Sequence, residues 1–359
     1  MKSAVEQIAD AVLYEGYILY PYRPSSLKNR QRWNFGGICP RVYAEAQGGS
    51  EIWRSQTEVL AEWRPFSQVE VKLRFLHLVS RQVAQRTNPV RNIEECAESD
   101  LRIVPALSVG GRLFQTWQEA IEREVTLPLF SLESGEERPA VSHFYFPASH
   151  SREALRGDDG QVLAALLRTQ QEINGSVRIS RKRVRGSLFR LRIEVLNLTH
   201  LEPGAAIDRE QAMTFSLASS HLVLSIREGE FVSLLDPPEG FAAEASECQN
   251  VGVYPVLVGQ EGERSTMMAS PVILYDYPKI AAESAGDLFD GTEIDEILTL
   301  RIMALTEEEK CEMRQSDERG RRILERIEAD PEHLARLHGA LREVAPGAPA
   351  KTQRGAADG

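Results

Sequence analysis

The segment Val69-Glu-Val-Lys-Leu-Arg-Phe75 alternates apolar and charged residues without a break. Successive side chains of a β-strand point to opposite faces, so this alternation predicts a strand with one buried and one solvated face. A second strong pattern lies at Ser176–Val184 and Leu188–Leu198, which flank Gly186-Ser187. A glycine-containing pair between two such segments is typical of a β-hairpin. Both patterns favour a β-rich protein.

Several shorter segments, rich in aromatic and β-branched residues, are also predicted as strands. They are Val12–Tyr20, Trp33–Tyr43, Val141–Phe146, Leu222–Ile226, Phe231–Leu235, Val251–Gly259 and Pro271–Tyr277. Leucines at helical spacing predict a helix over Gln161–Ile173, and Arg209–Ser220 is predicted as a helix that leads into a strand. Arg112–Leu129 is ambiguous, because Trp117–Val125 fits a helical turn and Val125–Phe130 fits a strand.

The last seventy residues change character. Thr292 and Asp295 can cap the start of a helix, Thr306-Glu-Glu-Glu309 forms a second capping box, and Asp330-Pro331 opens a third helix. We expect an α+β, β-rich fold with sandwich-like strands in the N-terminal and middle parts and a C-terminal helical segment. The expected boundaries are a β-rich part at 1–130, a β-rich middle domain at 131–285 that can be continuous with the first, C-terminal helices at 286–345 and a disordered tail at 346–359.

The composition is that of an ordinary globular protein. The chain has 359 residues, 42% hydrophobic and 26% charged, which excludes collagen-like, low-complexity and wholly disordered proteins. Its net charge is −11, and the acidic excess belongs to Leu201–Gly359, with 15 Lys and Arg against 30 Asp and Glu. Proteins that coat nucleic acid usually show the opposite balance. An acidic face instead suits docking onto a basic protein surface.

The sequence favours the cytoplasm. No apolar run approaches the roughly 20 residues that cross a bilayer. The first residues carry Glu6 and Asp10 instead of the apolar core of a secretory signal. The four cysteines are scattered, with no CxxC pair, which predicts a cytoplasmic protein with reduced thiols.

Two charged segments are candidate partner-binding elements. A basic loop near the N-terminus contributes Arg23, Lys28, Arg30 and Arg32. An acidic helix start contributes Asp287, Asp290, Glu293, Asp295 and Glu296. The spacing of these acids does not match a calcium-binding loop, so we predict a helix start or a docking face there and no metal site.

An enzyme or a metal carrier is the alternative, with a polar site assembled across the fold from Cys39, His221, Asp236 and Cys248. Such a site requires these side chains to converge within about 3–4 Å of a common point. The sequence contains no HExxH, no GxSxG elbow and no phosphate-binding glycine loop, so neither a metal nor a cofactor is predicted. His77 lies within an apolar strand and is predicted to be a hydrogen-bonded core residue.

RNA binding through the arginine-rich hairpin Arg178–Arg192 is a third and weaker alternative. A charge run of this kind is more often a solvated strand face, here balancing the acidic C-terminal part. Two turns, Asp236-Pro237-Pro238 and Asp276-Tyr277-Pro278, follow predicted strands, and their prolines fix the course of each loop. These turns are open to a further role as rigid recognition edges.

Four strings together carry a resemblance to a known family. They are Leu13-Tyr-Glu-Gly-Tyr-Ile-Leu-Tyr-Pro-Tyr-Arg23, Phe231-Val-Ser-Leu-Leu-Asp-Pro-Pro238, Ser270-Pro-Val-Ile-Leu-Tyr-Asp-Tyr-Pro278 and Gly286-Asp-Leu-Phe-Asp-Gly-Thr-Glu-Ile-Asp-Glu-Ile-Leu-Thr-Leu-Arg301. Over nearly its whole length the chain resembles an uncharacterised bacterial family associated with gene clusters for nickel–iron uptake hydrogenases of the actinobacterial, high-affinity type.

This resemblance implies an accessory role in assembly, stabilisation or docking of the hydrogenase, and it brings no catalytic residue. The chain lacks the paired CxxC motifs and the cysteine arrays of a hydrogenase subunit. We therefore expect a non-enzymatic accessory or scaffold protein whose partner is another protein, either the hydrogenase or its maturation machinery.

Overall fold

The computed structural model describes residues 3–14, 36–92, 100–131, 139–202, 204, 207–279, 302–303 and 305–316, together with 321, 324–325 and 328–329. The helices are α1 (Ala4–Tyr14), α2 (Arg41–Ala46), α3 (Arg209–Met213), α4 (Ala242–Ser246) and α5 (Glu307–Ser316). The strands are β1 (Arg54–Val90), β2 (Leu101–Val104), β3 (Ala106–Val109), β4 (Arg112–Gln115), β5 (Trp117–Thr126), β6 (Phe130–Ser131), β7 (Ala140–Phe146), β8 (Ser149–Arg156), β9 (Val162–Gln170), β10 (Ile173–Arg185), β11 (Leu188–Asn197), β12 (Ala218–Val232), β13 (Tyr254–Leu257) and β14 (Thr266–Ser270).

The long strand β1 organises the sheet by pairing along both of its edges. One edge pairs in turn with β11, β6, β5 and β2, and the other pairs with β12 and then β9. Twelve of the described strands join one sheet, whose main path runs β13-β14-β12-β1-β11-β10-β7, while β3 and β4 pair separately. Strands from both sides of residue 130 therefore share this sheet.

A paired irregularity bends β1. Phe66 has a φ of +69°, and Glu228 on the facing strand β12 has a φ of +51°. The register between the two strands shifts between Trp63 and Gln68. A straight strand of 37 residues would be about 120 Å long, whereas a bulge bends and twists its strand. The bend allows one strand to serve both layers of a compact core.

The main core lies between two layers of this folded sheet. The apolar residues of Val69–Phe75 are fully buried. Across from them on β7, the ring centroids of Phe144 and Phe146 lie 6.1 and 5.7 Å from that of Phe75. Gly175, the register partner of Phe144, makes room for this ring, since a Cβ there would lie 2.2 Å from the Phe144 Cζ atom. The predicted β-rich α+β fold with sandwich-like strands is confirmed.

Helix α1 covers the outer face of the sheet at β12 and β1. It buries Ile8, Ala9, Val12 and Leu13, whose i, i+1, i+4, i+5 spacing forms one helical stripe. The predicted strand Val12–Tyr20 is therefore wrong over residues 12–14, and its remainder lies outside the described residues. The aromatic and β-branched residues of this segment favour a strand, but the helical spacing of the buried apolar residues in α1 outweighs that preference.

The helix predicted over Gln161–Ile173 is also wrong, because β9 occupies Val162–Gln170. This strand pairs with β1 on one edge and β8 on the other, and Ala164, Ala165 and Leu166 are buried in succession. A strand buried on both faces carries consecutive apolar residues, and its leucines then imitate helical spacing.

Other boundaries also differ from the predictions. The predicted strand Leu222–Ile226 lies within β12, and β12 also contains Phe231 and Val232, so the predicted strand Phe231–Leu235 is wrong over residues 233–235; the helix that begins at Arg209 ends at Met213. Trp117–Val125 is a strand, within β5. The end of the predicted strand Trp33–Tyr43 lies in α2, and Pro271–Tyr277 forms a loop.

Several predictions are confirmed. The hairpin forms as β10 and β11, and strands lie within Val141–Phe146 and Val251–Gly259. The Thr306 backbone N–H donates to Glu309 Oε2 (2.8 Å) and the Glu309 N–H donates to Thr306 Oγ1 (3.3 Å), so the second capping box opens α5. The helix starts predicted at residues 292 and 330 and the tail at 346–359 lie outside the described residues. Among the helices that are described, none has the length and apolar character needed to cross a bilayer.

Candidate functional site

Both charged segments predicted to bind a partner lie outside the described residues. The basic loop falls within residues 15–35 and the acidic helix start within residues 280–301. Their roles stay predictions. The four residues of the alternative polar site are all described, and each can be placed.

Cys39 lies just before α2, in a core cluster with Tyr43 and Met213. It is fully buried, and its Sγ is 3.8 Å from Glu51 Oε2. Glu51 is held in turn by Arg209, whose Nε lies 2.7 Å from Glu51 Oε1. Burial raises the pKa of Cys39 to about 11, so the thiol is protonated at neutral pH. A protonated, buried thiol is a poor nucleophile.

Cys248 and Asp236 occupy two other environments. Cys248 follows α4 and packs beside a small cluster that contains Leu60 and Leu188. Burial raises the pKa of Cys248 to about 11, and its Sγ donates to the Glu244 carbonyl oxygen at 3.6 Å. The backbone N–H of Asp236, in the loop after β12, donates to Ser233 Oγ at 2.8 Å.

His221 is the register partner of Arg74 and lies fully buried under α1. Its Nδ1 is 3.2 Å from the Ser219 carbonyl oxygen, and its Nε2 has no hydrogen-bond partner among the described residues. Arg74 forms an ion pair of 2.7 Å with Asp10 of α1. None of the contacts of Cys39, His221, Asp236 and Cys248 joins two of them, and the described residues contain no group of three metal-ligating side chains.

His77, the predicted core histidine, is fully buried on the opposite face of β1. Its Nε2 lies 2.9 Å from the carbonyl oxygen of Gln171, so the expected hydrogen bond is confirmed. Burial, with a smaller contribution from Arg123, lowers the pKa of His77 to about 4. Burial likewise lowers the pKa of His221 to about 4, with Arg74 adding to the effect.

Acidification from about pH 6.5 to about pH 4 is expected to destabilise the protein through these two histidines. Their folded-state pKa values lie below the unfolded value of 6.5, so the unfolded chain binds more protons than the folded chain throughout this window. The free energy of unfolding therefore decreases as the pH is lowered. Each histidine should contribute on the order of 3 kcal/mol over the full window. Urea unfolding at pH 7, 5.5 and 4.5 measures the effect.

A His221→Leu variant should lose about half of the histidine-linked pH dependence, because leucine has no proton to gain. The matched control is His200→Gln, since His200 is exposed. Equal pH dependence in His221→Leu and the parent protein would contradict the prediction.

The arginine-rich hairpin is tied to acidic side chains. Arg192 lies 2.7 Å from the buried carboxylate of Glu58, and Arg190 lies 2.8 Å from Glu247. Arg185 pairs with Glu244 of α4. Arg185 and Arg190 thus tie α4 and the residue after it to the hairpin, and Arg192 pairs with β1, so these three hairpin charges already have partners within the chain.

Two loops, one that follows β12 and one that follows β14, meet through side-chain hydrogen bonds. Ser233 Oγ donates to Asp276 Oδ2 and accepts from the backbone N–H groups of Leu235 (3.1 Å) and Asp236 (2.8 Å). Asp276 Oδ1 accepts from the Leu257 N–H at 2.7 Å. One serine and one aspartate thus join the two proline-containing turns that the sequence analysis singled out.

These two loops carry three large apolar side chains that are exposed to solvent. Leu235 is 55% exposed, Ile273 75% and Tyr275 87%; we call these three residues the paired-loop surface. The loop after β14 is hydrogen-bonded to β13, since the Tyr277 N–H donates to the Leu257 carbonyl oxygen at 2.7 Å. Asp236 and Glu239, in the loop after β12, are exposed acids, and Glu261, which is also exposed, lies 3.6 Å from Lys279 Nζ.

The two turns can be recognised in the sequence, but the exposure of the three apolar residues cannot. Pro271–Tyr277 was predicted as a strand, which implied that its alternate apolar side chains were buried. Nothing in the order of the residues shows that the strand β14 ends at Ser270 and that the side chains of Ile273 and Tyr275 are exposed to solvent. The only signal was the proline at each turn, because proline ends a strand.

Sequence comparisons identify no relative of this chain. No protein-family model matches the chain, and a search of curated proteins finds no significant match. Function is therefore inferred from the geometry above and from the sequence.

Proposed function

We propose that this chain is a cytoplasmic, non-enzymatic accessory or scaffold protein that binds a protein partner through the paired-loop surface. The observation that supports the proposal is the exposure of Leu235, Ile273 and Tyr275 on two loops that are hydrogen-bonded to each other and to β13. Exposed large apolar side chains are typical of interaction sites, and tyrosine is common among the residues that dominate binding energy.

The partner that fits this surface has an apolar pocket with a basic rim. The apolar side chains would enter the pocket, and Asp236, Glu239 and Glu261 would face lysine or arginine side chains around it. The sequence resemblance supports a nickel–iron hydrogenase, or one of its maturation proteins, as that partner.

A double substitution of Ile273→Ala and Tyr275→Ala is expected to reduce partner capture at least about tenfold, the loss expected when a central aromatic contact is removed. The tagged chain is purified from its native cells, bound proteins are identified by mass spectrometry, and the metal content of the same eluate is measured. Tyr145→Ala is the matched control, because Tyr145 is 57% exposed on β7, at the other end of the strand order.

Hydrogenase or maturation proteins that bind the parent and the control, but not the double variant, support the proposal. Equal capture by the double variant contradicts the assigned surface. Stoichiometric zinc, nickel or iron on a chain that purifies alone contradicts the accessory role and favours a metal carrier or an enzyme.

A further inference from the structure

Strand β7 forms one edge of the main sheet. Among the described strands it pairs with β10 alone, in a register that runs without a bulge from Phe146 to Ala140. Val141 and Tyr145 are 47% and 57% exposed, and His143, midway between them, is exposed as well. The strand is thus open to solvent on one face and has no strand partner along one edge.

The pairing of Asn174, the register partner of Tyr145, shows which backbone groups lie on that edge. The Asn174 carbonyl oxygen accepts from the Leu198 N–H (2.8 Å), next to the end of β11, so it points away from β7. In an antiparallel ladder the opposite residue then points its own N–H and C=O away as well, and the pattern repeats every second residue. The backbone groups of Tyr145, His143 and Val141 therefore lie on the outer edge, and nothing in the described part of the chain hydrogen-bonds to them.

The sequence of β7 lacks the features that usually protect an edge strand. Natural edge strands carry charged residues, prolines or bulges that prevent pairing with another chain. The described sheet has two other edge strands of similar length, β5 and β8, and both contain several charged side chains. The sequence of β7, Ala140-Val-Ser-His-Phe-Tyr-Phe146, contains no Asp, Glu, Lys, Arg or Pro. This edge is therefore suited to pairing with a further strand.

The side chains of β7 fit a second copy of the same strand. When two copies pair antiparallel about a two-fold axis at His143, Val141 of each copy faces Tyr145 of the other. A β-branched residue opposite an aromatic residue is a favourable cross-strand pair. In this register the outward backbone groups of all three residues meet across the axis, and each facing pair exchanges two hydrogen bonds.

Charge also favours a second copy in this orientation. Arg178 is exposed on β10 beside Val141, its register partner. Glu172 lies near the other end of β7, where its Oε2 accepts from the Tyr145 hydroxyl group (3.1 Å). Antiparallel pairing brings the Arg178 end of one copy towards the Glu172 end of the other, whereas parallel pairing would bring like charges together.

We propose that this chain forms a two-fold symmetric dimer in which β7 of each copy extends the sheet of the other. A two-fold contact uses the same patch on both copies, which is what the self-complementary edge provides. Backbone hydrogen bonds across the axis supply affinity, and the facing side chains fix the register. The dimer does not use the paired-loop surface, so this proposal is independent of partner binding there.

The test is sedimentation velocity of the full chain over a range of concentrations. The parent is expected to form a species of twice the mass of the chain as the concentration rises. His143→Pro is expected to weaken self-association at least about tenfold, because each copy loses the N–H donor that bonds across the axis. That N–H points away from β10, so the pairing within each chain is retained, which circular dichroism verifies. His143→Thr is the matched control, since it keeps the N–H and should dimerise as the parent does.

A cysteine at the axis tests the register, and it does so even if the proline variant fails to fold. In a chain that carries Cys96→Ser and Cys311→Ser, His143→Cys is expected to form a disulfide-linked dimer under mild oxidation. The Cα atoms of a hydrogen-bonded pair lie about 5.5 Å apart, within the range of a disulfide. Val141→Cys is the matched control and should not link, because the two copies of residue 141 are separated by roughly 14 Å along the strands.

Three results would overturn the proposal. The first is a parent chain that remains a monomer at every concentration. The second is a folded His143→Pro variant that dimerises like the parent. The third is a Val141→Cys variant that links as readily as His143→Cys, which would place the contact in another register or on another surface.

Discussion

Replacement of Phe75 by alanine is expected to lower the free energy of unfolding by about 3–5 kcal/mol. The side chain is fully buried at the centre of the main core, between the two layers of the folded sheet. Its ring packs against both Phe144 and Phe146, so the substitution removes apolar burial and leaves a cavity between the layers. Urea-induced unfolding, followed by circular dichroism, measures the change.

Phe66→Ala is the matched control for this substitution. Phe66 lies on the same strand but is 75% exposed at the bulge, so its removal should change stability by less than about 0.5 kcal/mol. Similar losses for the two variants would show that Phe75 does not hold the layers together.

Asn197→Ala is the second substitution expected to have a large effect, with a loss of about 3 kcal/mol or more. Asn197 is fully buried at the end of β11. Its Nδ2 donates to the carbonyl oxygens of Ile38 (2.8 Å) and Phe215 (2.9 Å), and its Oδ1 accepts from the Thr199 N–H (2.9 Å). Alanine would leave three backbone groups without this partner, at about 1–3 kcal/mol each.

The loss should appear in the same urea unfolding measurement. Asn174→Ala is its control, because Asn174 is exposed and its bonds to this region use its backbone atoms. A small effect of Asn197→Ala, comparable to that of Asn174→Ala, would mean that other groups satisfy the carbonyl oxygens of Ile38 and Phe215.

The elements that could be predicted from the sequence are those with one solvated face. Val69–Phe75 and the hairpin of β10 and β11 alternate because half of their side chains meet water. The sequence of β9 does not alternate between apolar and polar residues, because this strand is buried on both faces. The 37-residue length of β1 could not be predicted either, since Pro65 and Phe66 resemble a turn and are in fact the bulge that bends it.

Functional residues were harder to predict because their roles depend on distant contacts. The turns at Asp236 and Asp276 can be recognised in the sequence. Their connection cannot, because the hydrogen bond between Ser233 and Asp276 joins positions 43 residues apart.

The length of β1 also affects how the chain is made. Arg54 pairs with Leu196, about 140 residues later, and Leu60 pairs with Val232. At about 5–20 residues per second, a ribosome needs on the order of 5–20 s after completing β1 at Val90 to complete β11 at Asn197. Pairing between such distant segments is also intrinsically slow. In a nascent chain, the strand that organises the finished sheet therefore has unsatisfied edges that can associate with other chains, so chaperone supply during translation should control the yield of folded protein.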